Sequence, residues 1–514
     1  MKYWMTVWLW IVLSFFLINI FTLSVPWAIF HTPDELANFI VVQEYWTSWK
    51  MFLQAPYLDI DHGNNLHPRW FLTHNERLVP FNFLWLPLIY WPFYAFFAEY
   101  VHFLNSVFFF LIMVFAYSLA RLWFDIKKEM IWIVFLVVLS SLPLLFYYNF
   151  PYYNIVPFLT FFVLFLYYIQ RFHYTNKILY LYLGVLFALF AIRMRYEQVL
   201  FIWLFMMIVF IQHRRLYFKR KNLLRDILWV IFMGIVVFVV PLLTLNKSLY
   251  GTPLTYWYSL FTQTFFAEER TWTRQQAIIN TLYQGHQFDL GVLWINLKNN
   301  LFLIAPIFFL LAYSVLWKRA ILKRNWPYLL LSCYIIFYTW MSPTYGSGID
   351  TVTLHGSIPR YFFVLYFIAL FLVLKPLLSI KKWLALAVCF VLFNKSLFFT
   401  DVSRILTSFD GYNDAIALMQ PHLSQDAYLI TTVEDKFTYI LAHQITRWCW
   451  IDCDEHFEKN KYMLIETIRH LLQQWEEVFA LESRRFSSDY HFGEFRKWGI
   501  TISHIEWNLY QLSL

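Results

Sequence analysis

Charge is what this sequence lacks. Of 514 residues only 14% are Asp, Glu, Lys or Arg, against 60% that are hydrophobic, and the mean hydropathy is +0.51. A soluble chain of this length cannot hide so much apolar surface, which excludes a water-soluble globular protein and predicts a polytopic membrane protein. Glycine is also sparse, at 12 residues. No Gly/Ser linker and no phosphate-cradling glycine loop can be drawn, and neither a serine nucleophile elbow nor an HExxH helix is present. Of the four cysteines, Cys333 and Cys389 lie inside apolar runs and read as packing residues. Cys449 and Cys453, in "RWCWIDCDEH", are a candidate disulfide, favoured over a zinc site with His443 or His456.

What is abundant fits the same picture. The 57 Phe, 35 Tyr and 25 Trp suit the aromatic belts found at headgroup depth. The net charge of +8 comes from Lys and Arg concentrated in short loops between apolar runs. It is a topology signal rather than a nucleic-acid footprint, and no nucleic-acid partner is expected. Apolar runs at 4–28, 101–123, 130–148, 154–171, 178–196, 198–212, 226–245, 299–317, 327–342, 361–378 and 383–400 predict eleven transmembrane helices. Basic loops alternate with them, placing the N-terminus in the cytoplasm and the tail outside. The run 81–98 carries Pro87 and Pro92 and would invert every later loop if it crossed. It is therefore assigned to a first outer loop, 29–100, as an interfacial or re-entrant segment.

The expected architecture is an all-α membrane domain over 1–400 followed by a small α/β domain over 401–514. In that tail, 427–433 and 499–512 alternate like strands, and 460–481 is amphipathic at helical period.

Polar residues gather at the outer mouths of the spans. The first outer loop holds His31, Asp34, Glu35, His74, Glu76 and Arg77; Arg193 and Arg195 close one span, and Arg360 opens another. Ionisable groups at such depth are costly unless they face a cavity or each other, which marks a functional site. A carboxylate can deprotonate a hydroxyl nucleophile, and arginines grip phosphate oxygens bidentately. The mixture points to a lipid-phosphate donor attacked by an acceptor hydroxyl, with the arginines stabilising the departing phosphate. Arg193 and Arg195 are two apart, so on a helix one would line the site and the other would snorkel to headgroups. The histidines at 62, 67 and 74 match no ligand spacing, and no metal site or divalent cation is expected.

In "HTPDELANF" two signals overlap. Thr32 as N-cap, Pro33 at the first helical position and Glu35 closing a capping box predict a helix from about 33 to 50. Its Leu36, Phe39 and Ile40 are expected to face lipid. That explains Glu35 and leaves Asp34 as the candidate base, with His31 as a neighbour.

The layout resembles the GT-C class of integral-membrane glycosyltransferases. The resemblance rests on "HTPDELANF" after the first span, "HNERLVPFNFLWLPLIYW" (74–91), "LPLLFYYNFPYYNIVPFLTFFVLFLYY" (142–168), "LTLNKSLYGTPLTYWY" (243–258) and "HGSIPRYFFVLYFIAL" (355–370). It implies Asp34 as catalytic base, with His31, Glu35, His74 and Glu76 supporting the loop. It implies Arg77, Arg193, Arg195 and Arg360 as donor-phosphate ligands, and a polyprenyl-phosphate sugar as donor substrate with no further cofactor. The implied setting is the bacterial inner membrane, with the C-terminal domain periplasmic. Size, aromatic content and the single terminal outer domain are similar to serotype-converting glucosyltransferases, implying a surface-glycan acceptor such as O-antigen and an inverting hexosyl transfer. The alternatives are an O-antigen polymerase or ligase, and a lipid-linked sugar flippase or transporter.

Overall fold

The structure is a computed structural model. It describes residues 33–54, 71–74, 77–80, 85–97, 103–124, 147–195 except 149 and 151, 222–250, 414–431 except 425–426, 444–447, 477–481 and 488–514 except 507–508, with isolated positions in 9–13, 199–211 and 462–473. The spans expected at 299–317, 327–342, 361–378 and 383–400 lie outside the described residues, as do most of 4–28 and 130–148. The chain forms two compact units.

The first unit comprises Met1–Ser24, His102–Leu242 and Ala267–Ser403, and its described residues are helical. Helices α1 (Pro33–Ser48) and α2 (Trp85–Phe97), earlier in the chain, belong to the second unit. The first contains α3 (Phe103–Phe124), α4 (Ile155–Thr175) and α5 (Ile178–Met194). Helix α6 begins at Leu223–Gly234 and continues through two wide π turns, Ile235–Val239 and Leu242–Asn246, to a last α turn, Lys247–Tyr250. Three of these, over Leu104–Trp123, Ile155–Thr175 and Leu224–Tyr250, are long and apolar enough to cross a membrane, and Ile178–Met194 is a shorter apolar helix.

Side-chain bonds fix the helix directions. Thr160 Oγ1 donates to the Phe108 carbonyl and Tyr174 Oη to that of Leu122, both across 52 residues. Equal separations at two levels mean that α3 and α4 run parallel. Tyr182 Oη to Asp226, and Arg193 Nε to the Val237 carbonyl, both span 44 residues, so α5 and α6 are parallel too. Helices α4 and α5 form an antiparallel hairpin closed by Asn176 in the left-handed conformation (φ 55°), its N–H on the Phe172 carbonyl at 2.7 Å. Asn tolerates that conformation better than most residues, which suits it to end a helix. These directions are those expected of the runs 101–123, 154–171, 178–196 and 226–245, while 130–148 and 198–212 lie largely outside the described residues.

The hairpin core is aromatic. Phe161 and Tyr168 stack on Phe187 at 6.2 and 5.5 Å. Close approach is secured at Gly184, where a Cβ would lie 2.7 Å from Ile169 Cδ1 and 3.3 Å from its backbone nitrogen. Helix α6, by contrast, shows large apolar side chains outward along its length, among them Leu228, Phe232, Val236 and Val240, as a lipid-facing helix should.

The second unit comprises Val25–Val101, Leu243–Phe266 and Arg404–Leu514. Helices α1 and α2 pack together here, with Leu36, Ala37, Ile40, Leu86 and Tyr90 almost fully buried and Phe39 edge-on to Tyr94. The lipid-facing expectation for Leu36 and Ile40 is thus corrected: they face protein. An apolar helix beside another buries its stripe there first, and composition alone cannot tell such a stripe from a lipid-facing one. The described part of α2 has 13 residues, about 20 Å at 1.5 Å per residue. Helix α1 ends at Trp49, itself left-handed (φ 59°). Its indole sits 5.6 Å from Tyr45 and 5.0 Å from Trp91.

Three short strands, β1 (Leu53–Gln54), β2 (Phe71–His74) and β3 (Arg77–Pro80), form an antiparallel sheet in the order β1-β3-β2. A mixed sheet of order β5-β4-β6-β8-β7 occupies the C-terminal part. In it β4 (Tyr428–Thr431) is parallel to β5 (Gln444–Arg447) and β6 (Val478–Leu481). Antiparallel to β6 runs β8 (Leu509–Ser513), beside β7 (Thr501–Glu506). Helix α7 (Ser488–Lys497) packs on it through Phe492 and Phe495, together with Ile465, Ile468 and Leu471. The amphipathic run read as one helix over 460–481 therefore changes structure before its end: 478–481 is a fully buried strand, whose unbroken apolar run carries no period-2 signal. The segment 499–512 is two strands of a hairpin rather than one.

Gly184→Leu is expected to wedge α4 from α5 and cost about 1–3 kcal/mol. The loss should appear as a lower thermal midpoint of the detergent-solubilised protein.

Candidate functional site

The two ends of the helical unit differ in chemistry. At one end, Tyr174 ties α4 to the close of α3, the α4–α5 turn follows, and Tyr182 ties α5 to the start of α6. This end carries Arg121, Arg171, Lys177 and Arg225. Arg171 lies 5.7 Å from the Tyr180 ring, and Asp226 is buried while accepting from Tyr182 Oη at 2.9 Å.

The opposite end gathers buried neutral polar groups and two arginines. Asn105 Nδ2 donates to the Tyr148 carbonyl at 2.9 Å, and Ser106 Oγ is bonded to Tyr148 Oη. Residues 147–154 fold as a compact aromatic turn. Phe150 N–H reaches Tyr147 O, Tyr153 N–H reaches Phe150 O, and the Tyr147 and Tyr153 rings stack at 5.5 Å. Asn154, just ahead of α4, gives Nδ2 to the Met194 carbonyl at 2.8 Å. The last carbonyls of a helix have no internal partner, and this amide satisfies one of them.

Arg193 and Arg195 are both buried, at 2% and 4% exposure, so neither snorkels. Arg193 Nε donates to the Val237 carbonyl at 2.9 Å and Nη2 to that of Phe238 at 2.8 Å, with the guanidinium 4.3 Å from the Phe238 ring centroid. Arg195 stands just past α5 in extended backbone (φ −145°, ψ 94°), its N–H still on the Ala191 carbonyl. The opposed-faces rule for residues two apart fails because the helix ends between them.

In the second unit, Asp34 occupies the first turn of α1. Glu35 beside it is 1% exposed. A carboxylate so buried needs hydrogen bonds or a counter-charge, and Glu35 is among the residues with a polar partner. Its expected capping partner Thr32 lies outside the described residues, as do His31, Glu76, Arg360, Cys449 and Cys453. Arg77 opens β3 opposite both His74 and Gln54, exposed, with its guanidinium 4.3 Å from the Phe52 ring centroid. Tyr250 Oη, at the end of α6, donates to the Pro80 carbonyl at 2.9 Å and closes the same strand.

Sequence reasoning missed Asn105, Asn154 and Pro241. Each is a lone polar or helix-breaking residue inside an apolar run, where averaged hydropathy conceals it.

The solved structure of ArnT from Cupriavidus metallidurans bound to undecaprenyl phosphate aligns over 98% of this chain and 97% of its own, with a TM-score of 0.58 at 10% identity. ArnT in the apo state aligns over the same shares at 0.53. The sequence matches no protein-family model and no curated relative.

Asn154→Leu should leave the Met194 carbonyl buried without its donor, a cost of about 1–3 kcal/mol. Thermal unfolding should show it, and Asn154→Asp should show a loss of similar size because the side chain then lacks the N–H.

Proposed function

We propose that this protein is a glycosyltransferase that moves a sugar from undecaprenyl phosphate to a hydroxyl of a surface glycan such as O-antigen, at the outer face of a bacterial inner membrane. The observation that carries this reading is the alignment of nearly the whole chain with an undecaprenyl-phosphate-bound ArnT structure. Supporting it, the end of the helical unit rich in basic residues is the one the positive-inside rule assigns to the cytoplasm. The arginines that sequence reading assigned to phosphate binding, Arg193 and Arg195, lie at the opposite end. Eleven spans with a periplasmic 401–514 domain are part of the same proposal.

In the proposed mechanism the Asp34 carboxylate accepts the acceptor hydroxyl's proton as its oxygen attacks the anomeric carbon. The bond to the phosphate oxygen breaks and leaves undecaprenyl phosphate, whose growing charge is met by arginine. A single base and direct displacement invert the anomeric carbon. Arg195, Arg77 and Arg360 are the proposed phosphate ligands, while Arg193, which the sequence also offers for that role, gives its Nε and Nη2 to α6. His31, Glu35, His74 and Glu76 shape the loop that carries the base, and the reaction needs no metal in this reading.

Asp34→Asn should lower transfer from an undecaprenyl-phosphate sugar by at least about 10²-fold while leaving undecaprenyl phosphate bound; wild-type turnover in that variant would remove Asp34 as base. Cysteines introduced near 62, 270 and 490 should all label from the periplasm, and a cytoplasmic 490 would overturn the eleven-span topology.

A further inference from the structure

We infer that Arg193 is a positioning residue: it locks the end of α5 to α6 so that the next arginine, Arg195, is presented at a fixed point to the phosphate of the lipid donor. The inference rests on the reading of Arg195 as a phosphate ligand.

The lock is built from a defect in α6. Pro241 has no N–H, so the ladder of α6 is one donor short close to Val237. The neighbouring backbone winds as π turns on both sides of the proline, and π turns inside α-helices mark sites where the ladder is opened for another purpose. Arg193 fills the gap. Its Nε meets Val237 O, its Nη2 meets Phe238 O, and its guanidinium lies against the Phe238 ring. In an apolar surrounding an unpaired carbonyl costs several kcal/mol, so the proline creates a demand that a buried guanidinium meets.

The following two residues are held as well. The Met194 carbonyl takes the Asn154 amide from the start of α4, and the Arg195 N–H stays on Ala191. Three successive residues are thus tied to α6, to α4 and to α5 itself. The chain leaves the helix at Arg195 in extended conformation, with its side chain 4% exposed. A guanidinium already pinned in this way is poorly placed to reorganise around a ligand, whereas Arg195 follows it at a point fixed by its own backbone.

The test uses the full-length protein in nanodiscs, titrated with undecaprenyl phosphate and, in parallel, with undecaprenol, which lacks the phosphate. Arg193→Met is expected to weaken undecaprenyl phosphate about tenfold and to leave undecaprenol unchanged, with Arg193→Lys falling between. Pro241→Ala restores the missing N–H without touching either arginine. It should weaken the phosphate lipid several-fold, and the double variant should be no worse than Arg193→Met, since both act on one contact. If Pro241→Ala binds like wild type while Arg193→Met loses its phosphate preference, Arg193 is a direct ligand and the inference is wrong. Equal weakening of both lipids would reduce the lock to plain structural support and overturn it too. Arg195→Met separates the underlying reading: if it leaves undecaprenyl phosphate binding intact while Arg193→Met weakens it, Arg195 is not the ligand.

Discussion

Everything in the helical unit depends on one requirement, that a backbone carbonyl in an apolar medium must find a donor. Water cannot supply it, so the chain does. Asn154, Tyr174 and Arg193 each give an N–H or O–H to a carbonyl on a helix, and Asn105 gives its amide to one in the aromatic turn; those bonds set which elements touch and in which direction. Aromatic stacking then fills the space between them. In a soluble bundle the apolar faces would be driven together by water; here the lipid-facing and protein-facing sides are equally apolar, and polar bonds between helices have to provide direction.

This explains which parts of the fold could be read from the sequence. Spans at 101–123, 154–171 and 178–196 agree with α3, α4 and α5 to within a few residues, because unbroken apolar runs ending in charge encode both length and ends. The span at 226–245 extends to Tyr250, since the π turns carry the helix through Thr244, Asn246 and Lys247, where hydropathy falls. The partners of each face were not legible. Leu36 and Ile40 are as apolar as any lipid-facing residue, and only the packing of α1 on α2 shows that they meet protein.

The candidate site was legible in kind and less so in role. An acidic pair after the first span and arginines at span mouths stood out because charge is so rare. What the residues do was harder to read. Glu35 is buried, which fits a structural acid beside Asp34 but says more than a surface cap would. Arg193 and Arg195 looked like alternatives on opposite sides of a helix, and the helix turns out to end between them. The information that distinguishes them lies 48 residues further on, at Pro241, in a stretch that reads as one more apolar span.

The parallel pairing of α3 with α4, and of α5 with α6, also bears on how the chain is made. Helix α5 follows α4 across a two-residue turn, so that hairpin can close as soon as both segments leave the ribosome, with little chain entropy to overcome. The partner of α3 arrives 52 residues later and that of α5 44 residues later. The α4–α5 hairpin is thereby the natural seed for assembly, with α3 docking backward onto it and α6 forward. A fault in its turn or at Gly184 would be inherited by every later contact.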